Sequence, residues 1–130
     1  MHKNYLIAAA LFGGSAVALG AFGAHGLQKI TSDPSILHGF ETGVQYQMYH
    51  AITLLLVGAW AERSPDKWIA RAAFCFIIGI LLFSGSLYLL TFLKINESGA
   101  VKFAGPVTPV GGVLFIAGWL CLLVAVLRKK

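Results

Sequence analysis

Four apolar runs, each close to the length of one membrane crossing, take up most of this chain and leave too little polar sequence to clothe a water-soluble surface. The 130 residues are 58% hydrophobic and only 12% charged, whereas soluble domains are about 45–50% apolar and about 25% charged. A soluble domain of this size could not bury so much apolar surface, so lipid is the expected solvent. There a spanning helix needs about 20 predominantly apolar residues. The runs fall at about 5–24, 45–61, 70–93 and 106–127. They predict an all-α fold, an integral membrane four-helix bundle forming a single transmembrane domain over 1–130, with 25–44 as an outer loop holding the interfacial start of the second helix.

The formal charge is +5 and the pI near 9.5. Nucleic-acid binding would require the basic residues to cluster on a water-exposed face, but here they sit in short connections and at the termini. They orient the helices instead. With four spans both termini share a side, and that side holds Lys3, Arg63, Lys67, Arg71, Arg128, Lys129 and Lys130, seven of the ten basic residues. The positive-inside rule then places both termini in the cytoplasm of a multi-pass protein.

The segment from Tyr5 to Ala24 follows a basic start and contains small residues, as a signal peptide does, but its apolar stretch exceeds the usual ~7–15 residues. It reads as the first span. Ala9, Gly13, Ala16, Gly20 and Gly23 recur at four-three-four-three spacing along it, lining one face with residues of little bulk. In lipid, packing drives helix association, and such a face lets a neighbouring backbone come close. This helix is therefore expected at the centre of the bundle. Asp33-Pro34 supplies an N-cap followed by proline at the first helical position. From Pro34 to Trp60 there are 27 residues, about 40 Å of helix, so the first turns belong in the headgroup region. Cys75 and Cys121 lie inside apolar runs with no CxxC motif, and read as small buried thiols.

Polar groups enter the spans in one half of the membrane. Gln45, Tyr46, Tyr49 and His50 open the second span, Ser84, Ser86 and Tyr88 lie late in the third, Thr108 begins the fourth, and His25 closes the first. Chain direction brings all of them to similar depth, where unpaired polar groups are costly and should face one another. One reading is interhelical hydrogen bonding, worth about 0.6 kcal/mol per contact. The other is a pocket for a small hydrophobic ligand such as a lipid, quinone or haem, because His50 is ionisable and lies within the span. Tyr46 and His50, four apart, share a face, and Gln47 is expected to point elsewhere.

No specific chemistry is signalled. His38 and Glu41 share a helical face, but His50 lies twelve residues on, about 18 Å along the axis, so it cannot complete a metal site with them, and no metal or cofactor is assigned. Bis-histidine haem ligation by His25 and His50 has no further signature to support it. GxSxG, HExxH and Walker sequences are absent, so the chain is read as non-enzymatic.

The strings Gly20-Ala-Phe-Gly-Ala-His-Gly-Leu27, Tyr46-Gln-Met-Tyr-His50, Gly85-Ser-Leu-Tyr88, Thr108-Pro-Val-Gly-Gly112 and Gly118-Trp119 together resemble the YgdD/YwdK family over essentially the whole chain. The resemblance implies a small four-span protein of unknown function in the bacterial inner membrane. It carries no catalytic residues. The expected role is that of an accessory or assembly subunit, or of a small homo-oligomer, embedded in the lipid bilayer.

Overall fold

A computed structural model describes residues 2–129. These residues form helices α1 (His2–Ile30), α2 (Pro34–Arg63), α3 (Lys67–Gly79), a π-helical turn (Ile80–Ser84), α4 (Gly85–Ile95), the short α5 (Val101–Ala104) and α6 (Val107–Arg128), with no strand among the described residues. Because the π turn joins α3 to α4 without a break, the bundle consists of four long helical segments. Three of them, His2–Ile30, Lys67–Ile95 and Val101–Arg128, are long and apolar enough to cross a membrane. The exception is α2, whose middle carries Gln45, Gln47 and His50.

Helix ends follow local chemistry. Asp33 caps α2 by accepting from the Ser35 amide at 2.9 Å and the Ser35 hydroxyl at 2.8 Å, with Pro34 at the position where a missing N–H costs nothing. Asp66 caps α3 by accepting from the Trp68 amide at 2.6 Å. The expected outer loop over 25–44 shrinks to residues 31–33, since α1 continues helically to Ile30. Alanine, leucine, glutamine and lysine hold that last stretch helical despite its polarity.

The Ser35 hydroxyl and amide hold the Asp33 carboxyl below its ordinary value. A lowered acid pKa favours the folded cap above the ordinary carboxylate range, and that contribution is lost as pH falls through the lowered value. Acid titration of thermal stability should therefore show a loss below about pH 4 that is smaller in Asp33→Asn; identical acid profiles would remove this role from the cap.

The central helix is α2, not α1. Contacts of α2 extend to α1, α3, the π turn and α4, whereas α1 packs principally against α2. The reason lies in α2's buried face: Ile36, Phe40, Gly43, Gln47, His50, Leu54, Val57 and Ala61 are all buried, at the alternating four-three spacing of a coiled-coil seam. The small residues of α1 do face α2. Cβ atoms added at Gly13, Gly20 and Gly23 would meet Ala51, Val44 and Phe40 respectively, and Ala9 and Ala16 are buried. These pairs define an antiparallel register along the seam.

A second tight seam joins α3 to α6. A Cβ on Gly79 would lie 2.6 Å from the Phe115 ring, one on Gly118 2.6 Å from the Phe76 ring, and one on Gly111 2.7 Å from the backbone Cα of Phe83. The core centres on Leu54, Val57, Ile69, Ala72, Ala73, Phe76, Ile80 and Phe115. Outside it, Leu11, Leu56, Phe74, Leu120 and Leu127 are more than half exposed, as lipid-facing side chains are.

Candidate functional site: the polar interior

Helical spacing on α2 aims Gly43, Gln47 and His50 inward, and the partners of these residues divide the polar interior into three separate connections. In the first, the Gln47 amide nitrogen donates to the Phe12 carbonyl and to the Ser15 hydroxyl of α1, each at 2.8 Å, and the Tyr88 hydroxyl of α4 donates to the Gln47 amide oxygen at 2.6 Å. A carbonyl only accepts, so the contact with Phe12 fixes which end of the amide is nitrogen. Ser84 extends this connection by donating to the Gly43 carbonyl at 2.6 Å. Gln47 thus ties three helices together.

Gln47 does not point away from the cluster, as the spacing from Tyr46 and His50 suggested. It is 4% exposed. Its register with Phe40, Gly43, His50 and Leu54 is the signal that locates it, a seven-residue repeat that outweighs the two-residue comparison with its neighbours.

The second connection holds His50. Its Nδ1 lies 2.8 Å from the Tyr46 carbonyl, and the Trp119 indole nitrogen donates to its Nε2 at 3.2 Å. An indole N–H only donates, so Nε2 accepts and the proton of the neutral ring sits on Nδ1, pointing at the carbonyl. The ring stacks on Phe115 with centroids 3.6 Å apart and planes within 6°. Phe76 and Trp119 approach it at 5.4 and 6.1 Å. Both nitrogens are therefore hydrogen-bonded within an aromatic enclosure.

The third connection joins α4 to α6. Ser86 donates to the Phe83 carbonyl at 2.9 Å, and its hydroxyl lies 2.5 Å from that of Thr108. With the Ser86 proton committed to Phe83, Thr108 is the donor. Ser84 and Ser86 are two residues apart, about 200° around a helix axis, so Ser84 reaches α2 while Ser86 reaches α6.

The remaining expected members lie outside these connections. His25, Gln45 and Tyr49 are exposed, with Gln45 reaching only Glu41 at 3.5 Å. Tyr46 is partly exposed, its ring against Phe83 at 4.8 Å and roughly parallel to His50 at 6.2 Å. His25 and His50 do not form a pair, because α1 stays helical past His25 and carries it onto an outward face. Among the described residues no three His, Cys, Asp or Glu side chains group to hold a metal.

The family model "Protein of unknown function (DUF423)" matches residues 19–112, a stretch that contains Gln47, His50 and Tyr88 but not their partners Phe12, Ser15 and Trp119. The chain belongs to the DUF423 family. It is 42% identical over 127 residues to the UPF0382 membrane protein YwdK of Bacillus subtilis, covering 97% of this chain and 98% of that one. It is 42% identical over 130 residues to a UPF0382 membrane protein of Haemophilus influenzae, covering 100% and 98%. A UPF0382 membrane protein of Schizosaccharomyces pombe, C1782.12c, is 37% identical over 116 residues, covering 89% and 95%. No solved structure matches. Together with its three membrane-length helices, these relatives make this DUF423 chain a membrane protein of a family without a known biochemical role.

Proposed function

We propose that this DUF423 protein is a non-enzymatic helical building block of the bacterial inner membrane, acting as an accessory or assembly subunit or as a small homo-oligomer. The observation that carries this reading is the use made of the buried polar groups. Gln47, His50, Ser84 and Ser86 are each committed to a neighbouring helix or a backbone carbonyl, which holds the helices in register. The reading includes four spans with both termini in the cytoplasm. Gln47 and His50, the polar side chains deepest in α2, are buried against other helices rather than facing lipid, so α2 can span beside them.

The small-residue seam of α1 is occupied by α2 within one chain, so association with a partner uses other faces. Purification in a gentle detergent, followed by mass determination of the detergent-corrected particle, should give a defined oligomer or a larger complex; a monomer at every detergent concentration would contradict the proposal. Reporter fusions after Lys130 and within residues 96–100 should report opposite sides of the membrane, and a shared side would end the four-span arrangement.

A further inference from the structure

Two hollows open on the same side of the α1–α2 seam. The first, about 220 Å³, has Gly20, Gly23, Ala24 and Val44 along its wall, with Gln28 and Glu41 among its lining residues. The second, about 270 Å³, is formed by Ala9, Ala10 and Gly13 of α1 with Ala51, Ile52 and Leu55 of α2. Ala9 and Gly20, Gly13 and Ala24, Glu41 and Ile52, and Val44 and Leu55 are each eleven residues apart, close to three helical turns. The hollows are therefore stacked along one face rather than lying on opposite sides of the seam. Both exist because α1 places residues without bulk where side chains would otherwise fill the crease.

The stacked hollows have the polarity of an amphiphile. Glu41, exposed on α2, brings a carboxylate whose hydrogen-bond partner is the Gln45 amide at a long 3.5 Å, and Gln28 offers an amide across the groove. Toward Gly13 and Leu55 the lining becomes wholly apolar. From Glu41 to Leu55 is fourteen residues, about 21 Å of helix, which matches half of a bilayer about 40–45 Å thick.

We infer that this groove seats one phospholipid with a primary ammonium headgroup, its nitrogen at Glu41 and Gln28 and an acyl chain lying over Gly13 and Ala10. The carboxylate sets the headgroup class: an ammonium donates charge-assisted hydrogen bonds to Glu41 and the Gln28 oxygen. A quaternary choline has no N–H to donate, and an anionic glycerol headgroup is repelled. This is distinct from the polar interior, whose groups face one another.

The test is native mass spectrometry of the full chain released from nanodiscs of equimolar phosphatidylethanolamine, phosphatidylcholine and phosphatidylglycerol. Wild type should retain one phosphatidylethanolamine with about fivefold preference over phosphatidylglycerol, the size expected for one charge-assisted contact at a partly exposed site. Glu41→Gln should retain lipid in the bulk ratio, and Glu41→Lys should reverse the preference toward phosphatidylglycerol, which a merely unfolded variant cannot do. Ala10→Phe, at an exposed position, should fill the apolar hollow and abolish retention while the helical circular dichroism is unchanged. Bulk-ratio retention by wild type, an unchanged preference in Glu41→Gln or Glu41→Lys, or full retention by a folded Ala10→Phe would each overturn the inference.

Discussion

Replacing Gly111 with alanine should destabilise the bundle by about 3 kcal/mol, at the upper end of what overpacking costs, because the obstruction is backbone. The new Cβ would overlap the amide nitrogen of Phe83 and lie 2.7 Å from its Cα. A side chain could rotate aside, but a π turn pinned by Ser84 on the Gly43 carbonyl and by Ser86 beside Thr108 cannot move without breaking those contacts. Gly14 provides the comparison, since nothing lies within 4 Å of an added Cβ there. Gly14→Ala should be neutral or stabilising by up to about 1 kcal/mol, as expected for glycine in a helix interior. Thermal unfolding of both variants in the same detergent decides the matter, and equal midpoints would mean that the α3–α6 seam is looser than the contacts indicate.

Gln47→Leu should cost about 3 kcal/mol. Three interhelical hydrogen bonds are lost at about 0.6 kcal/mol each, and the half-buried Tyr88 hydroxyl loses its acceptor, which adds a desolvation penalty. Leucine has similar bulk, so the loss reflects polarity rather than a cavity. The double variant with Tyr88→Phe should recover part of this cost, because the stranded hydroxyl is removed along with its partner. Unfolding in mixed micelles gives the coupling directly, and strictly additive costs would show that the two side chains do not depend on each other. Gln47 holds α1 as well as α4, so Gln47→Leu should also loosen α1, seen as faster proteolysis in its last turns.

The architecture was legible because lipid imposes it. Runs of apolar residues long enough to cross a membrane leave few alternatives to helices, and the breaks at Asp33-Pro34 and Ser64-Pro65-Asp66 mark two of the junctions by their capping chemistry. The four-three spacing of small residues on α1 likewise marks a contact face without identifying its partner. The same spacing on α2, from Phe40 through Gln47 and His50 to Ala61, marks the face that the other helices share. Comparing Gln47 only with Tyr46 and His50 hides it, whereas reading the spacing as a continuous seam reveals it.

Three things had to come from tertiary structure. Which helix is central depends on pairwise packing, and the small residues of α1 let α2 approach without requiring α1 to contact anything else. The grouping of polar residues also depends on rotation about each helix axis, to which similarity of depth is blind. His25 and Tyr49 share a region with His50 but not its direction. The π turn at Ile80–Ser84 has no sequence signature comparable to a proline or a cap, yet its wider winding sets how α4 is rotated relative to α3. Sequence by itself therefore determined the solvent, the helices and their inward-facing repeats, because those follow from apolar length and periodicity. The hydrogen-bond partners of Gln47, His50 and Ser86 were decided only by the fold, because a partner on another helix is fixed by how two axes are rotated and packed, and neither angle is local to the chain.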